Sequence, residues 1–201
     1  MLVSGNKSRP IYRGLEPDTF AKHNIIVTDG DGCAAVIEMA IAAGDAFSKR
    51  CTVLLCTKDL SDHERDESVR TLGPATVWFF PTLETLLTRL DGMLRTARMG
   101  TRLYASGSEP LIGSTVKTAM AHGIDHRSVS TEHRGSNKRR VQCVHCKGMT
   151  EDVTSTAVRC AHCGHTLLVH DQYSRRLAAY MGVRADAEVL GETPALIGVF
   201  Q

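Results

Sequence analysis

The sequence predicts a doubly wound α/β unit with a five-stranded parallel sheet, followed by a small unit built on two cysteine knuckles. From His23 to about His133, short β-rich runs alternate with helical patterns, the signature of a parallel sheet with crossover helices. A Gly/Asp turn, Asp29-Gly30-Asp31-Gly32, follows the first apolar run, where such sheets pass from strand to helix. Farther along, two Cys-x-x-Cys pairs stand 13 residues apart.

The elements follow in order. Residues 24–28 (Asn-Ile-Ile-Val-Thr) form the first strand, and 33–47 carry apolar residues all round at helical spacing, as a helix packed on a sheet does. Residues 52–56 are the second strand. Residues 62–72 are charged and predict a short exposed helix, after which 75–80 supply a third strand that Pro81 ends. Thr82 is suited to cap the next helix, because its hydroxyl can accept from a free amide, and Glu84 falls in the first turn that the helix dipole favours. That helix is expected to run to about Met99 with Leu83, Leu86, Leu87, Leu90 and Leu94 as its buried stripe. Residues 102–106 form the fourth strand, 107–110 turn into a helix over 111–122, and 128–131 form the fifth strand.

Right-handed crossovers place these strands in the order 3-2-1-4-5, with any ligand cleft at the strand C-termini. The domain organisation read from the sequence is an N-terminal arm (1–22), the sheet domain (23–134), a basic flexible linker (135–141), a four-cysteine domain (142–170), and a tail (171–201) with one short helix around 174–181.

Lys and Arg number 24 against 22 Asp and Glu, so no global field draws the chain to nucleic acid or an anionic membrane. Residues 1–13 lack the apolar run of a signal peptide, and no later stretch approaches the roughly 18 apolar residues of a membrane span. A cytoplasmic protein without a membrane partner is expected. The seven cysteines suit a reducing compartment, where paired Cys-x-x-Cys motifs favour metal ligation over disulfides. Cys33, Cys51 and Cys56 lie in apolar segments and read as buried small hydrophobes.

Cys143, Cys146, Cys160 and Cys163 are the candidate metal ligands, a tetrahedral tetrathiolate set whose two turns a β-hairpin would bring face to face. Gly148 and Gly164 supply permissive backbone after each pair. Both zinc and a single iron accept four thiolates. The short loop between the pairs, with Thr150, Glu151, Asp152, Thr154 and Ser155, is more like a zinc ribbon than like rubredoxin, so Zn2+ is favoured and one Fe is the alternative. His145 and His162 lie between ligands and are expected to be exposed.

The segment 102–112, followed by a helix and then Val129-Ser130-Thr131-Glu132-His133, resembles the pyridine-nucleotide half of ferredoxin reductase-like flavoproteins, a Rossmann-like domain. The resemblance implies a nicotinamide turn after the fourth strand, where this chain has Ser106 and Ser108 in place of Cys and Pro, and an acidic residue matched by Glu132. Gly30, Gly32, Gly107 and Glu132 are thus the candidate nucleotide-binding residues. Against this, Asp29 and Asp31 place carboxylates where a pyrophosphate would meet a helix N-terminus, and the third glycine of the dinucleotide fingerprint is missing. A sheet retained for its shape is the competing reading. Neither a flavin-binding barrel nor a cysteine set for a [2Fe-2S] cluster is recognisable in these residues.

The run from Cys143 to Glu192, with Cys-x-His-Cys twice and then Asp171-Gln172-Tyr173-Ser174-Arg175-Arg176-Leu177-Ala178-Ala179-Tyr180-Met181-Gly182-Val183, resembles the DmmA-like family of bacterial dimethylamine monooxygenase subunits. That resemblance implies one component of a multisubunit NADPH-dependent enzyme that demethylates dimethylamine to methylamine and formaldehyde. It also implies that the other subunits are its partners and carry NADPH, haem and flavin. Tyr173, Arg175, Arg176, Tyr180 and Met181 are residue types enriched at interfaces and could meet such partners, or could pack their own domain. The competing function is a zinc-ribbon binding module using Lys138, Arg139 and Arg140. So short a basic run, with Tyr173 the nearest aromatic, argues against nucleic acid.

Overall fold

The computed structural model describes residues 8–58, 60, 61, 63, 64, 67, 71–73, 75–186, 199 and 200. The chain forms two compact units, one of Tyr12–Gly135 and one in which residues 8–11 join the chain from Ser136 onward.

In the first unit, strands β1 (His23–Thr28), β2 (Cys51–Cys56), β3 (Thr76–Phe80), β4 (Thr101–Gly107) and β5 (Val129–His133) form an all-parallel sheet in the order β3-β2-β1-β4-β5, as the sequence predicts. The side-chain alternation of a strand divides β1 between two cores. Ile25 and Val27 join Leu54, Leu103 and Ile112 on one face, while Ile26 joins Val36, Phe47, Val53 and Tyr104 on the other. Burial on both faces is why β1 and β2 read as continuous apolar runs.

The helices on the first face are α3 (Leu83–Arg95) and α4 (Glu109–Ala121); those on the second are α1 (Cys33–Ala43) and α2 (Asp45–Ser48). The single helix expected over 33–47 is two, because Gly44 adopts φ +79 and donates its amide to the Ala40 carbonyl, closing α1. Thr82 caps α3 as expected, accepting from the Thr85 amide at 3.3 Å, and Leu86, Leu90 and Leu94 are its buried stripe, with Leu83 and Leu87 partly buried beside them. The helix stops at Arg95, short of Met99. Residues 63, 64, 67, 71 and 72 are helical, in the segment expected to form the charged helix; Asp62 lies outside the described residues.

Asp91 of α3 accepts from the ring of His122, just after α4, at 2.7 Å, and from Arg95 at 2.6 Å. His122 first and Arg95 second hold the Asp91 carboxyl below the ordinary aspartate range. A depressed folded-state pKa contributes stability above the unfolded value, near pH 3.9, that is lost as pH falls through the folded value. Asp91→Asn is therefore expected to flatten the acid limb of the sheet unit's stability curve below about pH 4. An unchanged limb, followed by near-UV circular dichroism, would show that the α3–α4 clip carries no such linkage.

The second unit is a five-stranded sheet of β6 (Arg139–Cys143), β7 (Met149–Val153), β8 (Ala157–Arg159), β9 (Thr166–Ser174) and β10 (Ala179–Arg184), in the order β7-β6-β10-β9-β8. Only β6 and β10 are parallel. Its core is Val141, Val153, Leu167 and Tyr180 with Cys143 and Cys160. Two expectations are corrected here. No helix forms around 174–181, because Tyr180 and Gly182 alternate inward against Val141 and Leu167, so β9 and β10 close as a hairpin. Nor do Arg139 and Arg140 belong to a flexible linker, since β6 begins at Arg139.

Arg139 is 5% exposed. Its guanidinium lies between the rings of Tyr180, at 4.3 Å, and Phe200, at 3.7 Å, and pairs with Asp171 at 3.0 Å. Arg9 bonds both oxygens of the same carboxylate at 2.8 Å. Burial works to raise the Asp171 carboxyl, but the two guanidinium groups outweigh it and hold the group below its ordinary range.

Candidate metal centre and nucleotide cleft

The two knuckles share one backbone pattern. The amide of the first cysteine donates to the carbonyl five residues on, Cys143 to Gly148 and Cys160 to His165, each at 2.9 Å. The amide four residues on donates back, Lys147 to Cys143 at 2.9 Å and Gly164 to Cys160 at 3.1 Å. This tight loop requires a left-handed residue at the position after the second cysteine. Gly164 takes it with φ +73 and Lys147 with φ +62. Sequence reasoning assigned the permissive role in the first knuckle to Gly148. That glycine is instead needed for space, because a Cβ there would collide with the ring of His162.

The loops bring four sulfurs together. Cys143 Sγ and Cys163 Sγ are 3.8 Å apart, and Cys146 Sγ and Cys160 Sγ are 3.7 Å apart. Four thiolates at the usual metal–sulfur bond length of about 2.3 Å stand about 3.8 Å apart along each tetrahedral edge, so the arrangement fits a tetrahedral ion of zinc or iron size. Without a metal the thiols ionise unequally. Burial opposes ionisation of Cys160, but the amides of Cys163 and His162 and the neighbouring thiols pull it down to about 6. At Cys163 the His165 amide works downward, yet burial and the other three sulfurs push the thiol up to about 12.

His145 and His162 are exposed, as expected. His162 Nε2 contacts the Met149 carbonyl at 2.9 Å, which ties the second knuckle to β7. His165 went unrecognised in the sequence. Its Nδ1 lies 3.2 Å from Cys163 Sγ. The only signal was a histidine two residues beyond the last cysteine, at a spacing that does not by itself specify contact. Cys33, Cys51 and Cys56 are buried, and burial pushes the Cys51 thiol up to about 11, so that sulfur packs as an apolar group.

At the C-terminal end of the parallel sheet, Gly32, Gly107 and Glu132 lie around protein groups. Asp29 Oδ1 accepts from the Gly32 amide at 3.1 Å, and Oδ2 accepts from the amide and hydroxyl of Ser108 at 3.0 and 2.8 Å. Those amides mark the starts of α1 and α4, where a dinucleotide phosphate would find its donors. Gly107, at φ +131, has no room for a Cβ because the Asp29 carboxylate presses against it. Gly32 is likewise closed in by the Ser106 carbonyl and Thr28 Oγ1. Gly30 packs on Leu60.

Glu132 Oε2 accepts from the Leu15 amide at 3.0 Å, and Oε1 accepts from Arg134 Nε at 2.7 Å. The residues around Gly14 run alongside β5 through the Gly14 amide to the Thr131 carbonyl at 3.1 Å. Ser106, which stands where the resembled reductases have Cys, is fully buried and donates to the Glu132 carbonyl at 3.1 Å. Of the suggested interface residues, Tyr180 is 2% exposed and serves its own unit's core, stacking edge-on with Tyr173. Arg175 and Arg176 are exposed in the hairpin turn. Among the described residues no helix is long and apolar enough to cross a membrane.

Residues 4–129 match the N-terminal domain, and residues 140–183 the C-terminal domain, of the family described as dimethylamine monooxygenase subunit DmmA-like. The chain belongs to this family. The DmmA-like chain is also similar to the heme-dependent oxidative N-demethylase delta subunit of Ectopseudomonas mendocina (strain ymp), with 31% identity over 140 residues, 67% of this chain and 80% of that one. Among solved structures, an intact type IV self-sufficient cytochrome P450 monooxygenase aligns with TM-score 0.44 and 22% identity, over 70% of this chain and 19% of the other. The flavohemoglobin of Malassezia yamatoensis aligns with TM-score 0.41 and 16% identity, over 60% and 33% respectively. The DmmA-like chain thus spans a fifth to a third of those larger proteins.

Proposed function

We propose that this DmmA-like chain is a non-catalytic subunit of an NADPH-dependent oxidative N-demethylase acting on dimethylamine, with haem, flavin and the nucleotide site carried by partner subunits. Family membership over both units supports the assignment to a monooxygenase complex. The observation that carries the chain's role is Asp29. Its carboxylate occupies the amides of Gly32 and Ser108 that a phosphate would need, and Glu132 is already committed to Leu15 and Arg134. The Rossmann-like unit therefore serves as a shaped support.

In the second unit Cys143, Cys146, Cys160 and Cys163 would hold Zn2+, which when bound supplies a redox-silent crosslink between the two knuckles. The cysteines position this crosslink through their shared backbone loops, and the Gly148 amide donates to Cys146 Sγ at 3.4 Å, offsetting thiolate charge. A second reading, one iron in the same sulfur set for electron relay, is favoured by the exposure of Cys146, through which a partner's cofactor could be approached. Metal analysis and the absorption spectrum separate the two, because ferric tetrathiolate is coloured and zinc is not.

Calorimetric titration of the full chain with NADPH is expected to show binding weaker than about 1 μM, the affinity that corresponds to roughly −8 kcal/mol. Tighter binding would mean that Asp29 yields its place to a phosphate and that the support reading is wrong. Co-expression with candidate partners, followed by size-exclusion chromatography and dimethylamine-dependent NADPH oxidation, is expected to give a hetero-oligomer that is active only when complete. A chain that stays monomeric, or that binds single-stranded nucleic acid with a steep salt dependence, would instead favour a binding module.

A further inference from the structure

The second knuckle holds donors that a four-cysteine site leaves unused. His165 Nδ1 is 3.2 Å from Cys163 Sγ, and the rings of His145 and His165 lie 4.6 Å apart, tilted by 60°. One nitrogen of each ring and Cys163 Sγ lie within 4.8 Å of one another. We propose that His145, His165 and Cys163 form a second site for a borderline divalent cation such as Zn2+, with the Cys163 thiolate bridging it to the ion held by the four cysteines. The proposal rests on the reading of those cysteines as a metal site.

Four thiolates around one dication leave a net charge of −2, and each thiolate sulfur keeps lone pairs that can bind a second soft or borderline cation. Imidazole is the matching donor for zinc, cobalt, nickel and copper. In a tetrahedral zinc centre, bonds of about 2.0 Å to nitrogen and 2.3 Å to sulfur put those atoms about 3.5 Å apart. The contact between His165 and Cys163 is already near that distance, and the exposed His145 ring can swing to complete the set.

Access and local charge are compatible with a cation. His145 is exposed, and Cys163 and His165 are half-buried, so an ion can arrive from solvent. Two cationic side chains near the knuckles donate to backbone carbonyls: Lys147 Nζ to Val144 at 2.6 Å and Arg159 Nε to Gly164 at 3.1 Å. Three protein donors leave a fourth position for water or another ligand, which distinguishes this site from the closed four-cysteine shell.

The test uses the full chain loaded with one equivalent of Zn2+ under reducing conditions and then titrated with Co2+, followed by absorption spectroscopy and metal analysis. One further equivalent of Co2+ is expected, with bands of a mixed nitrogen and sulfur donor set. His145→Ala and His165→Ala should each weaken Co2+ uptake at least about tenfold while the zinc equivalent remains bound. Retained zinc also reports that each variant is folded. A zinc-loaded chain that takes up no Co2+, or takes it up equally well after both substitutions, overturns the second site. Failure to load the first zinc would instead refute the four-cysteine reading beneath it.

Discussion

Cys143→Ser and Cys163→Ser are each expected to release the metal and unfold residues 139–184 while the parallel sheet stays intact. The apolar core of the knuckle unit is small, with Val141, Val153, Leu167 and Tyr180 at its centre, and two of its buried members, Cys143 and Cys160, are proposed ligands. Such a unit depends on ligation, since structural zinc contributes about 10–16 kcal/mol of apparent binding energy in zinc-finger peptides. Removing one of four thiolates should weaken metal binding by about a thousandfold or more, or about 4 kcal/mol at 1.4 kcal/mol per decade. Hydrogen exchange resolved along the chain gives the readout: protection lost from β6 to β10 and kept from β1 to β5. Stoichiometric metal and full protection in both variants would refute the site.

Arg139→Ala should destabilise the same unit by about 3 kcal/mol, near the lower end for breaking a buried pair. The lower end applies because Asp171 keeps Arg9 on both oxygens, so its charge is not stranded. The loss also includes the stacking of the guanidinium between Tyr180 and Phe200. Arg139→Lys is expected to recover little, because an ammonium cannot lie flat between two rings as the guanidinium does while it bonds the carboxylate. Denaturant unfolding of the metal-loaded chain measures this directly. A shift below about 0.5 kcal/mol for alanine would show that the sandwich is incidental.

The parallel sheet was legible because β1, β2 and β3 are short apolar runs flanked by turn residues, and because the α3 stripe from Leu86 to Leu94 repeats at helical spacing. The cysteine cluster was legible because spacing alone brings its sulfurs into reach. The hairpin of β9 and β10 was not, since Ser174 to Met181 mixes charged and small residues that suit a helix locally, and only the register of Tyr180 on Val141 decides for strand. Arg139 illustrates the same limit. A run of three basic residues reads as a solvated linker until Asp171, far along the chain, supplies its counter-charge. In the cleft, the sequence placed two carboxylates beside a phosphate-binding turn but could not show that Asp29 folds back onto the turn's own amides.

On the support reading proposed above, that fold-back separates the sheet's survival from the cell's metabolic state. A protein that relies on a dinucleotide gains RT ln(1 + [L]/Kd) from it and loses that margin whenever the coenzyme pool runs low. With Asp29 seated on Gly32 and Ser108, the sheet unit supplies its own carboxylate there, and on that reading its melting temperature should be the same in starved and well-fed cells.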